Sequence, residues 1–242
     1  KENVKIMNII VTGASRGIGF ELVKLLSSDV KNTVFAVSRN MQKLEQLKIR
    51  CHAQNQLSNV IVLSCDLSNP QAVQNLIAEI AQQVKTIDIL INNAGAIVNK
   101  PFTDITPGDL DYVYKVNVFS VVWLIQGLLP LLNTKQKSHV VNISSMGGFQ
   151  GSVKFAGLSA YSSSKAALTC LTECLAEEYK EKSIVFNCLA IGATQTEMLD
   201  EAFPGYKAPL TADKMAAFIA DFSLKAHHYM NGKIIPVSLS TP

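Results

Sequence analysis

Met7-Asn8-Ile9-Ile10-Val11-Thr12-Gly13-Ala14-Ser15-Arg16-Gly17-Ile18-Gly19 decides how this chain folds. Met7 to Thr12 is a near-continuous apolar run, the pattern of a strand buried on both faces of a parallel sheet. Gly13, Gly17 and Gly19 follow, and Phe20 to Leu26 then carries a helical pattern. Strand, glycine turn, helix is the setting that gives a glycine motif its meaning. Glycines allow the tight turn and let a pyrophosphate approach the backbone. The helix N-terminus adds free N–H groups and a partial positive charge. The spacing is GxxxGxG rather than the commoner GxGxxG, so the setting carries more of the argument than the spacing does.

The same alternation continues to the end of the chain. Strands are expected at 33–38, 59–65, 87–91, 139–143, 184–189 and 233–237. Helices are expected at 41–50, 71–84, from Thr106 to about Leu132, around Tyr161 and at 211–225. Asn69-Pro70 and Thr106-Pro107 each pair a capping side chain with Pro in the first helical turn. Strands alternating with helices predict a single doubly wound α/β domain of the Rossmann type over residues 1–242. It has a parallel sheet of about seven strands with helices on both faces. Ligands of such sheets bind at the carboxyl ends of the strands. The glycine turn, Asp66, Asn92 to Gly95, Ser145 and Ala190 to Thr196 all follow strands directly, so they converge on one edge. A loop at about 191–210 is placed to cover that edge.

Composition narrows the class. The chain has 242 residues, 48% hydrophobic and 17% charged, which excludes a disordered or fibrous protein. Twenty-two basic and 19 acidic side chains leave a net charge of +3. The charge is balanced and scattered, so no nucleic-acid partner is expected. The longest apolar run, Val116 to Leu132, is interrupted by Asn117, Ser120, Gln126, Gly127 and Pro130. It predicts a helix buried on more than one side, not a membrane span. The five cysteines (Cys51, Cys65, Cys170, Cys174, Cys188) form no CxxC and find no His at metal-ligand spacing, so no metal site is expected. Reduced, mostly buried thiols in a cytoplasmic protein are the expectation. No signal peptide is read at the N-terminus, and Lys1 to Ile6 reads as a short lead-in to Met7.

Tyr161-Ser162-Ser163-Ser164-Lys165 is the stretch with the most chemical content. A Tyr and a Lys four apart on a helix share a face. A cation beside a phenol favours the phenolate, so the pair can supply a proton donor or acceptor near neutral pH. Alone, such a pair is more often a solvated helix face.

Taken together, TGASRGIG (Thr12–Gly19), CDL (Cys65–Leu67), NNAG (Asn92–Gly95), KVN (Lys115–Asn117), NISS (Asn142–Ser145), YSSSK (Tyr161–Lys165) and the stretch Asn187–Met198 resemble the short-chain dehydrogenase/reductase family. The matches occur in family order and cover nearly the whole chain. The resemblance implies a nicotinamide cofactor and a set of residues that serve it. Gly13, Ser15, Arg16, Gly17, Ile18 and Gly19 would form the dinucleotide turn. Asp66 and Leu67 would face the adenine, and Asn92, Ala94 and Gly95 the ribose side. Gly192 and Thr194 would follow the sixth strand on the cofactor side. Tyr161 would be the general acid or base. Lys165 would bind ribose hydroxyls and lower the Tyr161 pKa. Ser145 would hold the substrate oxygen, and Asn117 a water that links Lys165 to solvent. Asp66 has an ordinary alternative as a helix N-cap. Ser144 is an alternative to Ser145, which is preferred because it stands three residues before Gly148.

At the end of the second strand, Val37-Ser38-Arg39-Asn40 contains no acid to bind a ribose 2′-hydroxyl. Arg16, Arg39 and Ser38 suit a 2′-phosphate instead, since a guanidinium meets phosphate bidentately. The expectation is therefore NADP(H), with hydride transfer between nicotinamide and a small-molecule carbonyl or alcohol. The alternatives are a non-catalytic dinucleotide-binding regulator, or an epimerase or dehydratase on the same fold. Ile191-Gly192 replaces the family's Pro-Gly, the loop from Thr196 to Pro209 is short, and Ser238-Leu239-Ser240 lacks the common glycine pair. Phe149, Val153, Phe155, Met198, Leu199 and Phe203 suggest an uncharged or aromatic substrate. Apolar surface on the helices 107–132 and 161–179 suggests a homodimer or homotetramer.

Overall fold

The computed structural model describes residues 6–132 and 137–239. Lys1 to Lys5 of the lead-in and Ser240 of the chain end lie outside the described residues. The strands are β1 (Met7–Thr12), β2 (Asn32–Ser38), β3 (Asn59–Ser64), β4 (Ile89–Asn92), β5 (Ser138–Ser145), β6 (Ile184–Ile191), β7 (Thr194–Gln195), β8 (Leu210–Thr211) and β9 (Ile234–Val237). The α-helices are α1 (Gly17–Leu26), α2 (Met41–Gln54), α3 (Pro70–Gln83), α4 (Pro107–Tyr114), α5 (Ser120–Leu132), α6 (Ser159–Glu178), α7 (Glu197–Ala202) and α8 (Ala212–Lys225). Seven strands form one sheet in the order β3-β2-β1-β4-β5-β6-β9, and every neighbouring pair is parallel. The order reverses between β1 and β4, which is where a doubly wound sheet opens its ligand crevice.

Side chains alternate across the sheet and divide the core in two. Ile9 and Val11 of β1 face one side with Leu22 and Val23 of α1, Leu44 and Leu47 of α2, and Met215 and Ile219 of α8. Ile10 faces the other side with Phe35, Leu90 and Phe186, Val73 and Leu76 of α3, Leu124 and Leu128 of α5, and Leu168 of α6. All of these are buried. Unbroken apolar strands are the consequence of covering both faces.

The predicted caps are present. Asn69 Oδ1 accepts from the N–H groups of Gln71 and Ala72 ahead of α3. Thr106 and Asp109 cap α4 reciprocally, with Pro107 in the first turn. Asp66 is not the cap of α3, and instead its Oδ1 accepts from the Ser68 N–H and Oγ–H.

Three segments differ from the sequence reading. The helix 107–132 is continuous but contains a π turn at Lys115–Phe119. By length and composition it could cross a membrane, with mean hydropathy 1.6, yet 44% of its apolar window is buried within the protein. The loop after β6 is organised, because β7 pairs with β8 in parallel and α7 lies between them. β6 itself continues to Ile191, which pairs with Ser145 on one side and Val237 on the other. Ile191 keeps the N–H that proline lacks, so this position retains a donor for the ladder.

Candidate active site

The carboxyl ends of the strands border a cleft of about 520 Å³. Its first wall is the glycine turn. Gly13 and Gly17 have φ of +71° and +56°, a region that favours glycine. A Cβ on Gly19 would lie 2.2 Å from the Gly13 carbonyl oxygen, so the turn closes only with no side chain at that position. Thr12 Oγ1 accepts from the N–H groups of Asn93 (3.1 Å) and Ala94 (3.0 Å), and Asn93 Nδ2 donates to the Thr12 carbonyl at 3.0 Å. These bonds clamp the end of β1 to the end of β4. Arg16 is the N-cap of α1 and makes no side-chain cap, so the first-turn N–H groups face the cleft without one. An uncapped helix N-terminus on a glycine-rich turn fits a pyrophosphate.

Beside the turn, Ser38 Oγ donates to Ser15 Oγ at 2.8 Å, and both serines line the cleft with Arg16 and Arg39. Arg39 Nη1 reaches Tyr112 Oη on α4 at 3.4 Å. Arg16 forms a two-pronged ion pair with Glu201 on α7, with the Nη2–Oε2 arm at 3.0 Å. Glu201 holds the Arg16 pKa above its ordinary value, and Arg16 holds that of Glu201 below its own.

The opposite wall carries the expected catalytic side chains. Tyr161 and Lys165 lie one turn apart on α6, with Lys165 Nζ 6.0 Å from the centre of the Tyr161 ring. Lys165 is 4% exposed and donates to the Ile143 carbonyl at 2.8 Å. Burial pulls its pKa down to about 8. Burial pushes the Tyr161 phenol above its ordinary value, and a hydrogen bond with Ser145 offsets part of the rise. The same enclosure that raises Tyr161 weakens the charge on Lys165.

The two serines both line the cleft but differ in their hydrogen bonds. Ser144 is buried and its Oγ donates to the Lys165 carbonyl at 2.8 Å, fastening β5 to α6. Ser145 Oγ accepts from the Gly147 N–H at 3.2 Å and faces the cleft beside Tyr161. Gly148 makes this possible, since a Cβ there would meet the Ala166 nitrogen and the Lys165 carbonyl carbon at 2.6 Å. The turn after β5 therefore rests directly on the backbone of α6.

Asn117 is fully buried in the π turn. Its Oδ1 accepts from the Ala96 N–H at 2.8 Å, and its Nδ2 donates to the Ala96 carbonyl and to Ser164 Oγ, each at 2.9 Å. Both donors are used, so the side chain pins the segment after β4 to α6. It does not line the cleft.

Most of the predicted cofactor-side residues do line the cleft: Gly13, Ser15, Arg16, Gly17, Ile18, Ser38, Arg39, Asp66, Leu67, Ala94, Gly95, Gly192 and Thr194. Gly19 lies behind the turn, and Asn92 is turned away. Asn92 is buried and donates to Asn142 Oδ1 at 2.8 Å, while Asn142 donates to Thr172 Oγ1 at 2.9 Å. The cleft-lining asparagine is Asn93, next in the same NNAG stretch. Phe155, Met198, Leu199 and Phe203 line the substrate end as expected, joined by Tyr206 and Leu158, whereas Phe149 and Val153 do not. Cys170 and Cys174 are exposed on α6, so only Cys51, Cys65 and Cys188 follow the buried expectation. No cluster of three potential metal ligands occurs among the described residues.

Residues 7–207 match the family model of the short chain dehydrogenases. A fatty acyl-CoA reductase of Acinetobacter baylyi is 30% identical over 82% of this chain and 66% of its own length. The mouse dehydrogenase/reductase SDR family member 7B is 33% identical over 78% of this chain and 58% of its own. The chain thus spans about three-fifths to two-thirds of these curated relatives. A short chain dehydrogenase from Burkholderia cenocepacia, solved in complex with NADP, superposes with a TM-score of 0.86 at 27% identity, covering 98% of both chains. A family model spanning most of the chain, on the strand order and glycine turn described above, establishes that this protein belongs to the short-chain dehydrogenase family of oxidoreductases.

Proposed function

We propose that this protein is an NADP(H)-dependent oxidoreductase that interconverts a carbonyl and an alcohol, with Tyr161 as general acid and base. The observation that carries this reading is one cleft with two ends. At one end Ser145 and Tyr161 line the cleft beside the buried Lys165. At the other, an uncapped helix N-terminus meets Ser15, Ser38, Arg16 and Arg39 with no acid at the end of β2. Solved relatives in complex with NADP agree with that cofactor.

When bound, the dinucleotide supplies or accepts the hydride. The protein supplies position and a proton. Ser145 Oγ and Tyr161 Oη hold the substrate oxygen, and Tyr161 donates its proton to it during carbonyl reduction. Burial raises the phenol pKa, a direction that suits a proton donor. Lys165 would hold the ribose hydroxyls of the bound dinucleotide and, as an ammonium, would return a proton to Tyr161 and regain its own from solvent. Asn117 acts through position, by holding the chain after β4 against α6. An apolar substrate end formed by Leu158, Met198, Leu199 and Phe203 favours an uncharged carbonyl compound.

The direct test is NADPH consumption with a panel of aldehydes, diketones, quinones and acyl thioesters. Turnover with at least one carbonyl, lost in Tyr161→Phe, is expected. No consumption of NADPH with any member would favour a dinucleotide-binding regulator. We also propose a cytoplasmic homodimer or homotetramer that uses the outward faces of the helix 107–132 and of α6, where Leu110 and Phe119 are each 42% exposed. Light scattering that shows only monomer would reject the assembly.

A further inference from the structure

Arg16 is the residue of the glycine turn best placed to meet a ribose 2′-phosphate, and it already has an anionic partner. Glu201 takes both prongs of its guanidinium, from 185 residues away in sequence. Glu197 adds a second negative charge to the surroundings of Arg16, and Lys43 of α2 a positive one to those of Glu201. The contact is part of a larger seam. A Cβ on Gly17 would stand 3.2 Å from Thr196 Cγ2 and 3.6 Å from Glu197 Oε2, so the start of α7 rests on the glycine turn. At its other end α7 is held by Asn99 Nδ2, which donates to the Ala202 carbonyl at 2.9 Å. Met198 and Leu199 on this helix line the substrate end of the cleft.

The Nη1/Nη2 edge of a guanidinium, the one Glu201 occupies, donates to one bidentate anion at a time. Building on the NADP(H) reading above, we infer that Glu201 is a specificity-determining residue: its carboxylate stands in for the 2′-phosphate on Arg16 and must yield the guanidinium when a 2′-phosphorylated cofactor binds. A cofactor with a free 2′-hydroxyl leaves the pair intact. Glu201 therefore lowers the protein's own preference for the phosphorylated cofactor, and couples that choice to the tie between α7 and the glycine turn.

Calorimetric binding of 2′,5′-ADP and of ADP reads the 2′-phosphate site without turnover. Wild type should bind 2′,5′-ADP more tightly. Glu201→Gln should raise affinity for 2′,5′-ADP about two- to fivefold, the scale of an exposed ion pair, and leave ADP unchanged. In an Arg16→Ala background Glu201→Gln should have no further effect. Equal binding of the two ligands by wild type overturns the NADP(H) reading, and this inference with it. Discrimination by wild type that Glu201→Gln leaves unchanged or reduces overturns this inference alone. A gain that persists without Arg16 also overturns it, because the effect would then be general charge. Circular dichroism of each variant establishes that it folds, and an unfolded Glu201→Gln would itself contradict the assignment, since a 62% exposed side chain would then be structural.

Discussion

The two walls of the cleft hold their polar groups in opposite ways. On the α6 side, Asn117, Ser144 and Lys165 are buried and each is bonded to main-chain carbonyls or N–H groups. On the α7 side, Arg16 and Glu201 are 34% and 62% exposed and hold each other. A buried polar group left without its partner costs about 1–3 kcal/mol, whereas an exposed ion pair contributes about 0–1 kcal/mol. The α6 wall is consequently stiff, which would suit the proposed proton transfer between fixed atoms. The α7 wall can exchange partners, as a surface that admits and releases ligands requires.

The largest effect should come from the stiff wall. Tyr161→Phe keeps the ring and removes the proton donor, so the turnover rate should fall by about a hundredfold or more, with cofactor affinity nearly unchanged. Near-normal turnover would remove Tyr161 from the chemistry.

Next comes Asn117→Leu, which strands the Ala96 N–H and carbonyl in a buried setting. Stability should drop by about 2–4 kcal/mol, read from urea denaturation. A loss of activity with an unshifted urea midpoint would mean that Asn117 acts in the reaction rather than in position.

The buried charge on Lys165 sharpens the contrast through pH. Its pKa is about 8, below the ordinary lysine value, because burial disfavours the charged form. The folded state then binds this proton less tightly than the unfolded state. The resulting penalty is present in full below pH about 8 and fades as pH rises toward about 10.5. Lys165→Met should therefore raise stability most below pH 8, with a ceiling of about 3 kcal/mol reduced by the Ile143 carbonyl left without its donor. The advantage should shrink in melts taken at higher pH, and a constant advantage from pH 7 to 10 would contradict the burial argument.

The smallest effect belongs to the adjustable wall. Thr196 Oγ1 caps α7 by accepting from the Leu199 N–H at 3.3 Å. Thr196→Ala should loosen that helix by about 0.5–1 kcal/mol, seen as faster amide exchange at 197–203. A shift of the global melting temperature as large as that of Asn117→Leu would mean the two walls are equally built in.

Much of this molecule was legible in the chain. Apolar strands, the glycine turn, the Asn69 and Thr106 caps and the Tyr161/Lys165 spacing are local patterns, and backbone geometry and sheet burial act locally on them. Strand alternation with helices sufficed for the doubly wound order, because right-handed crossovers leave few others. The π turn at Lys115–Phe119 left no mark, since its residues read as ordinary helix. The choice between Ser144 and Ser145 rests on which faces of β5 meet α6, and that depends on Gly148 lying against Lys165. Asn92 and Asn93 are adjacent, yet the pleat sends one into the protein and the other to the cleft. The pair Arg16–Glu201 joins residues 185 apart. The shifts of Tyr161 and Lys165 come from burial that no spacing displays. Sequence determined what is periodic or capped along the backbone. Tertiary structure alone decided which side chains lose water and which distant charges meet, because desolvation and pairing depend on what packs around a group in space.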